Sequence, residues 1–75
     1  AVFEGNPGAH VLNPMGIVHG GYTVAILDSA CGIAFLTTLA QGQRFATLEL
    51  KTAFHRAIEP GSGPVRAQGS AYRAF

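Results

Sequence analysis

The stretch Asn13-Pro14-Met15-Gly16-Ile17-Val18-His19-Gly20-Gly21-Tyr22-Thr23-Val24-Ala25-Ile26-Leu27-Asp28 decides the reading of this chain. Asn-Pro and the following glycine mark a turn. His19 and the Gly20-Gly21 pair then open an apolar run with no proline as far as Gln41. That run predicts a helix over residues 20–41, with Gln41-Gly42 as its C-terminal stop. One carboxylate, Asp28, lies two turns inside it. An unpaired carboxylate among apolar side chains is costly, because leaving water disfavours its charged form. Such a group is expected to act rather than to pack.

Outward from the helix, the periodicity changes. Residues 46–55 alternate, with Leu48, Leu50, Thr52 and Phe54 on one side and Thr47, Glu49, Lys51, Ala53 and His55 on the other. That pattern predicts a half-buried strand. Residues 59–64 read as a turn. Residues 65–75 alternate again, with Val65, Ala67, Gly69, Ala71, Arg73 and Phe75 on one side, so an antiparallel hairpin of the two strands is expected. Residues 1–16 are turn-rich, with Val2-Phe3 as the tail of an earlier strand. The helix is apolar around its whole circumference, through Tyr22, Val24, Ile26, Leu27, Ile33, Phe35, Leu36 and Leu39. A helix of that kind is buried all round. Its natural host is a curved antiparallel sheet wrapped around it.

The chain has 75 residues, of which 48% are hydrophobic and 12% charged. A lone domain of this size buries only about 60% of its unfolded surface. So much apolar surface calls for other copies of the chain, a membrane, or a further part of the same domain. Ala1 and Phe75, the latter inside an expected strand, read as the ends of a partial domain. A net charge of +1 offers no basic patch for nucleic acid. The single cysteine, Cys31, allows no internal disulfide and has no partners at metal-ligand spacing, which fits a reducing, cytoplasmic compartment. Residues 1–16 do not read as a charged-then-apolar signal segment. Residues 17–40 are long enough to span a bilayer, but Asp28 near the middle, His19 and the glycines argue against it.

The first N–H groups of a helix starting at Gly20 have no partner inside it, and the macrodipole adds positive potential there. Glycine lets a substrate approach the backbone, so Gly20 is a candidate oxyanion donor. Its plain alternative is a tight turn. Asp28 follows eight residues later, about 12 Å along the axis. One reacting carbonyl cannot touch both groups of the same chain. If the two act together, they come from two chains related by a two-fold axis, which implies a dimer with interface sites. The mostly small neighbours of Asp28 (Val24, Ala25, Cys31, Gly32) leave room for a ligand; its plain alternative is a carboxylate that hydrogen-bonds a neighbouring backbone or faces a polar pocket. Asn13 could orient a carbonyl or a water, or simply make the Asn-Pro turn. His19 could meet a leaving group, or cap the helix. Thr47 could position a water, or be an ordinary strand threonine. Tyr22, Ser29 and Cys31 read as packing residues, and His10 and His55 as surface or loop residues. No nucleophile-elbow motif supports a Ser-His-Asp reading.

Taken together, N-P-M-G-I-V-H-G-G-Y-T-V-A-I-L-D-S-A-C-G-I-A and A-T-L-E-L-K-T-A-F-H-R resemble the hotdog-fold acyl-CoA thioesterases of the phenylacetic-acid-degradation, 4-hydroxybenzoyl-CoA thioesterase-like type. The steps from Asn13 to His19 and from Gly20 to Asp28 fit that family, as does Thr47 opening its strand. The resemblance covers most of residues 10–58. It implies an α+β hotdog fold, an antiparallel sheet wrapped around a long central helix, with residues 1–75 forming one incomplete domain. It also implies hydrolysis of aryl-acetyl or medium-chain acyl-CoA by a homodimer or homotetramer, with no metal or redox cofactor. By position, Gly20 N–H would polarise the thioester carbonyl. Asp28 of the partner subunit would be general base or nucleophile. Asn13 and His19 would orient the carbonyl and the thiolate side, and Thr47 would hold the water. Family members carry further strands after the hairpin. The run Phe54-His55-Arg56-Ala57-Ile58 also differs from the usual Phe-Leu-Arg-Pro-Ala type, at the rim that would meet CoA. The rival readings are a hotdog module that binds acyl-CoA without turnover, and a hotdog hydratase or dehydratase.

Overall fold

The computed structural model describes residues 1–72. Strand β1 (Val2–Gly5) leads into a single 3-10 turn, Ala9–Val11. Helix α1 (Gly20–Leu36) follows, and strand β2 (Val65–Gln68) closes the order. β1 and β2 pair antiparallel, with Val2 opposite Gln68 and Gly5 opposite Val65. The ladder runs on through Gly69 N–H, which donates to Ala1 O at 2.8 Å.

α1 rests on this two-stranded sheet through one stripe. Ala30 and Ala34 are its buried residues, one turn apart, and Ala67 of β2 is buried with them. Close approach is possible because Gly69, just after β2, has no side chain. A Cβ there would fall 2.5 Å from Ala30 O and Cys31 N. Asp28, Gly32 and Phe35 share another face of the helix by their spacing of four and three residues. Phe45 lies along that face, its ring edge-on to Phe35 at 5.6 Å.

Several expectations need correction. The helix ends at Leu36, not Gln41. Thr37 and Thr38 turn their hydroxyls back onto Ala34 O and Phe35 O, and the backbone tightens to three-residue bonds, Thr38 N–H to Phe35 O and Leu39 N–H to Leu36 O. Such local bonding competes with continued helix. Gly42, at φ +85°, serves instead in a turn that Gln43 N–H closes onto Ala40 O. The helix is also not enclosed, since Ile33 and Leu36 are exposed. Two four-residue strands can cover only one stripe of it.

Residues 46–55 form no ladder among the described residues. Glu49 and Lys51 do share a side, meeting at 3.5 Å, so the two-residue alternation is present. A strand also needs a neighbour for its backbone groups, and none lies alongside. Leu48 is accordingly 98% exposed. The expected hairpin is replaced by pairing of β2 with β1, and β2 spans only Val65–Gln68. The expected continuation through Arg73 and Phe75 lies outside the described residues. The radius of gyration, 14.1 Å, exceeds the value of about 11 Å for a compact chain of this length, as an outlying arm requires.

No helix among the described residues is long and apolar enough to cross a membrane.

Candidate active site

The loop before α1 is held from several directions. Leu12 and Val18 form an antiparallel bridge, and Asn13 N–H donates to Ile17 O at 2.8 Å. Inside that closure, Gly16 N–H returns to Asn13 O at 2.9 Å, with Pro14 preset for the turn. The Asn13 side chain reinforces it. Its Oδ1 accepts from Met15 N–H at 3.0 Å and from Ile17 N–H at 3.3 Å. The carbonyl end of this amide is thereby committed to the loop. Its Nδ2 has no protein partner among the described residues, so it is the end available to a ligand.

His19 is the N-cap of α1. Its backbone is extended, at φ −61° and ψ 134°, and its Nδ1 accepts from Gly21 N–H at 2.8 Å. The cap satisfies one of the orphan donors at the helix start. His19 N–H is held by Val11 O at 2.7 Å, and Tyr22 N–H by His19 O at 3.0 Å. Gly20 N–H, between them, has no partner among the described residues. The His19 side chain is exposed, and it does not line the cavity beside Gly20.

That cavity, about 390 Å³, is formed by the loop, the first turn of α1 and residues 54–58. Val18 N–H donates to Ile58 O at 3.0 Å and draws the 54–58 segment alongside. Asn13, Gly20 and Thr23 supply polar groups, Ile17 and Phe54 apolar wall, and Arg56 the charge. The Phe54 ring stands 3.4 Å from where a Cβ on Gly20 would lie, so the backbone N–H is flanked by aromatic surface.

Asp28 lines a different cavity, of about 330 Å³, with Phe3, Ser29, Gly32, Ile33, Phe45 and Thr47. Asp28 is half-buried as a residue, while its carboxylate makes its hydrogen bond at the surface. Thr47 Oγ1 donates to its Oδ1 at 2.8 Å, which leaves Oδ2 open. The two cavities share no lining residue. Gly20 and Asp28 of one chain therefore do not converge. Asn13 and Gly20 form one half-site, and Asp28 and Thr47 another. The first half-site presents N–H donors and no carboxylate, whereas the second presents a carboxylate and an apolar wall.

Reading the sequence alone passed over residues that line these cavities. Thr23 stands beside Gly20 and Phe45 beside Asp28, while Ser29, read as a packing residue, also lines the cavity of Asp28, and Phe54, read only as part of the rim that would meet CoA, stands beside Gly20. Thr23 is legible afterwards as one turn beyond Gly20, and Ser29 as the neighbour of Asp28. Nothing in the spacing of Phe45 points to a site, and only the family resemblance sets the run with Phe54 near one. His55, read as a surface or loop residue, also lines the first cavity. No group of three or more potential metal ligands clusters among the described residues.

The family model described as Thioesterase superfamily matches residues 15–75. No curated protein matches, and no solved structure matches.

Proposed function

This chain belongs to the thioesterase superfamily, a family of hotdog domains, and from that premise we propose that it hydrolyses acyl-CoA thioesters to the free acid and CoA. The observation that carries the proposal is the division of the site. A Gly20 N–H without a partner among the described residues lines one cavity, and an Asp28 carboxylate held by Thr47 lines another. An N–H without a partner suits an oxyanion, and a carboxylate held at one oxygen with the other free suits a water or a carbonyl carbon.

In this reading two copies pair about a two-fold axis, as a dimer or as half of a tetramer. Gly20 N–H and Asn13 Nδ2 of one chain take the thioester carbonyl oxygen. The partner subunit's Asp28 acts on the other face. As general base it takes a proton from water, and the hydroxide adds to the carbonyl carbon. As nucleophile it adds directly, and water then cleaves the resulting anhydride. In either route the oxyanion collapses, the C–S bond breaks, and the thiolate leaves with the electron pair. Thr47 fixes one carboxylate oxygen and orients the other. The apolar wall of Phe3, Ile33 and Phe45 suits an aryl-acetyl or medium-chain acyl group. His19 shapes the site through the cap. The chemistry calls on no metal and no redox cofactor, and the lone cysteine favours a cytoplasmic setting.

The test follows loss of thioester ultraviolet absorbance over a panel of acyl-CoAs, for this protein and for Asp28→Asn. Hydrolysis that disappears in the variant is the expected result. Undiminished hydrolysis in Asp28→Asn removes the carboxylate from the mechanism. Tight acyl-CoA binding without hydrolysis by the unsubstituted protein replaces the enzyme with a binding module.

A further inference from the structure

We infer that Thr23 is the residue that supports the departing sulfur, its hydroxyl donating a hydrogen bond to the thiolate as the C–S bond breaks. The inference rests on the thioesterase reading above and assigns a step that reading leaves without a residue. His19 is the obvious choice from the sequence. In the structure its Nδ1 accepts from Gly21 N–H, which leaves Nε2–H as its donor, but its ring lies outside the lining of the cavity beside Gly20.

Thr23 meets the requirements that His19 does not. It lies three residues after Gly20, so both stand on one helix face about 5–6 Å apart. It is half-buried and lines the same cavity as Gly20 and Asn13. A helical threonine commonly returns its hydroxyl to a carbonyl in the preceding turn. Thr37 and Thr38 do so at the end of α1, at 2.7 and 2.6 Å. Thr23 makes no such bond among the described residues, so its O–H is free to donate. In a thioester the sulfur and the carbonyl oxygen share one carbon. A carbonyl oxygen on Gly20 N–H therefore brings the sulfur within a turn of the helix, in reach of Thr23. No proton leaves the threonine. The electron pair of the broken bond stays on sulfur, and the proton taken from water on the Asp28 side ends on the thiol or in solvent.

A hydrogen bond to a leaving group matters most when the leaving group is a poor one. The test compares two thioesters of one acyl group, one of CoA, a basic alkyl thiol, and one of thiophenol, a far weaker base. Each is assayed with the unsubstituted protein, Thr23→Val and Thr23→Ser. Thr23→Val is expected to lose about ten- to a hundredfold in kcat on the CoA thioester, the usual scale for a hydrogen bond to a charged group. It should lose little on the thiophenol ester, with serine restoring the CoA rate. Equal losses on both esters would assign Thr23 to packing or to the acyl side and overturn the inference. So would an unchanged CoA rate in Thr23→Val. Absence of hydrolysis of either ester by the unsubstituted protein is a different failure, because it overturns the thioesterase reading itself.

Discussion

Thr47 Oγ1 donates to Asp28 Oδ1 at 2.8 Å, joining residues nineteen apart in sequence. The bond needs the 45–47 segment laid along α1, and Phe45 secures it there by stacking edge-on to Phe35. It holds the carboxylate in one rotamer and leaves Oδ2 for chemistry. Thr47→Val keeps the shape and removes the donor. The expected result is a fall in kcat of about ten- to a hundredfold, the scale of a hydrogen bond to a charged group. KM should be nearly unchanged, and Thr47→Ser should retain most of the rate. Steady-state kinetics on an acyl-CoA check this, and an unimpaired valine variant would separate Thr47 from the reaction.

Gly20 can be tested at the level of a single hydrogen atom. It is the first residue of α1, where proline is well tolerated, and His19 before it is already extended, as proline requires of its predecessor. Gly20→Pro should therefore fold while lacking the N–H. Its hydrolysis is expected to fall about 10²–10³-fold, as when one oxyanion donor is removed. Gly20→Ala keeps the N–H and places its Cβ in ordinary contact with Phe54 at 3.4 Å, so its loss should be much smaller. Similar rates in the two variants would mean that the N–H is idle.

The start of α1 was legible because capping chemistry is local: a His, two glycines and an apolar run meet within a few residues. The end was not, since Gln41-Gly42 looks like a stop, whereas the Thr37 and Thr38 hydroxyls stop the helix first. The alternation of residues 46–55 states which side chains share a side, and Glu49 meets Lys51 accordingly. Alternation does not state which segment supplies the ladder, so β2 was matched to the wrong partner. In the candidate site, the eight-residue step from Gly20 to Asp28 already placed the two groups too far apart to meet in one chain. The pairing of Thr47 with Asp28 and the positions of Phe45 and Phe54 depend on tertiary placement, and spacing carries no trace of them.

Asn13 carries two separable duties. Asn13→Asp keeps the oxygen that accepts from Met15 and Ile17 but loses the amide N–H donors. It should melt near the unsubstituted protein yet turn over at least about tenfold more slowly. Asn13→Ala should also lose stability, by about 1 kcal/mol for the loop bonds. Thermal melts beside rate measurements separate the two effects. An Asp variant with full activity would leave Asn13 a loop residue only.

Gly69 sets the approach of β2 to α1. In Gly69→Ala the new methyl would fall 2.5 Å from backbone atoms of Ala30 and Cys31, which cannot rotate away as a side chain can. A loss of about 1–3 kcal/mol is expected, the usual range for overpacking. Urea denaturation measures it, and an unchanged midpoint would show that the helix lifts without cost.

The most direct test of a site divided between two chains is complementation. Gly20→Pro and Asp28→Asn are each expected to be inactive alone. When they are mixed and allowed to exchange subunits, each hybrid dimer holds one intact pairing of Gly20 with the partner subunit's Asp28. Half of randomly formed dimers are hybrids with one good site of two, so activity should return to about a quarter of the unsubstituted level. A mixture that exchanges subunits, shown by hybrid dimers in native mass spectrometry, yet stays inactive would contradict the shared site.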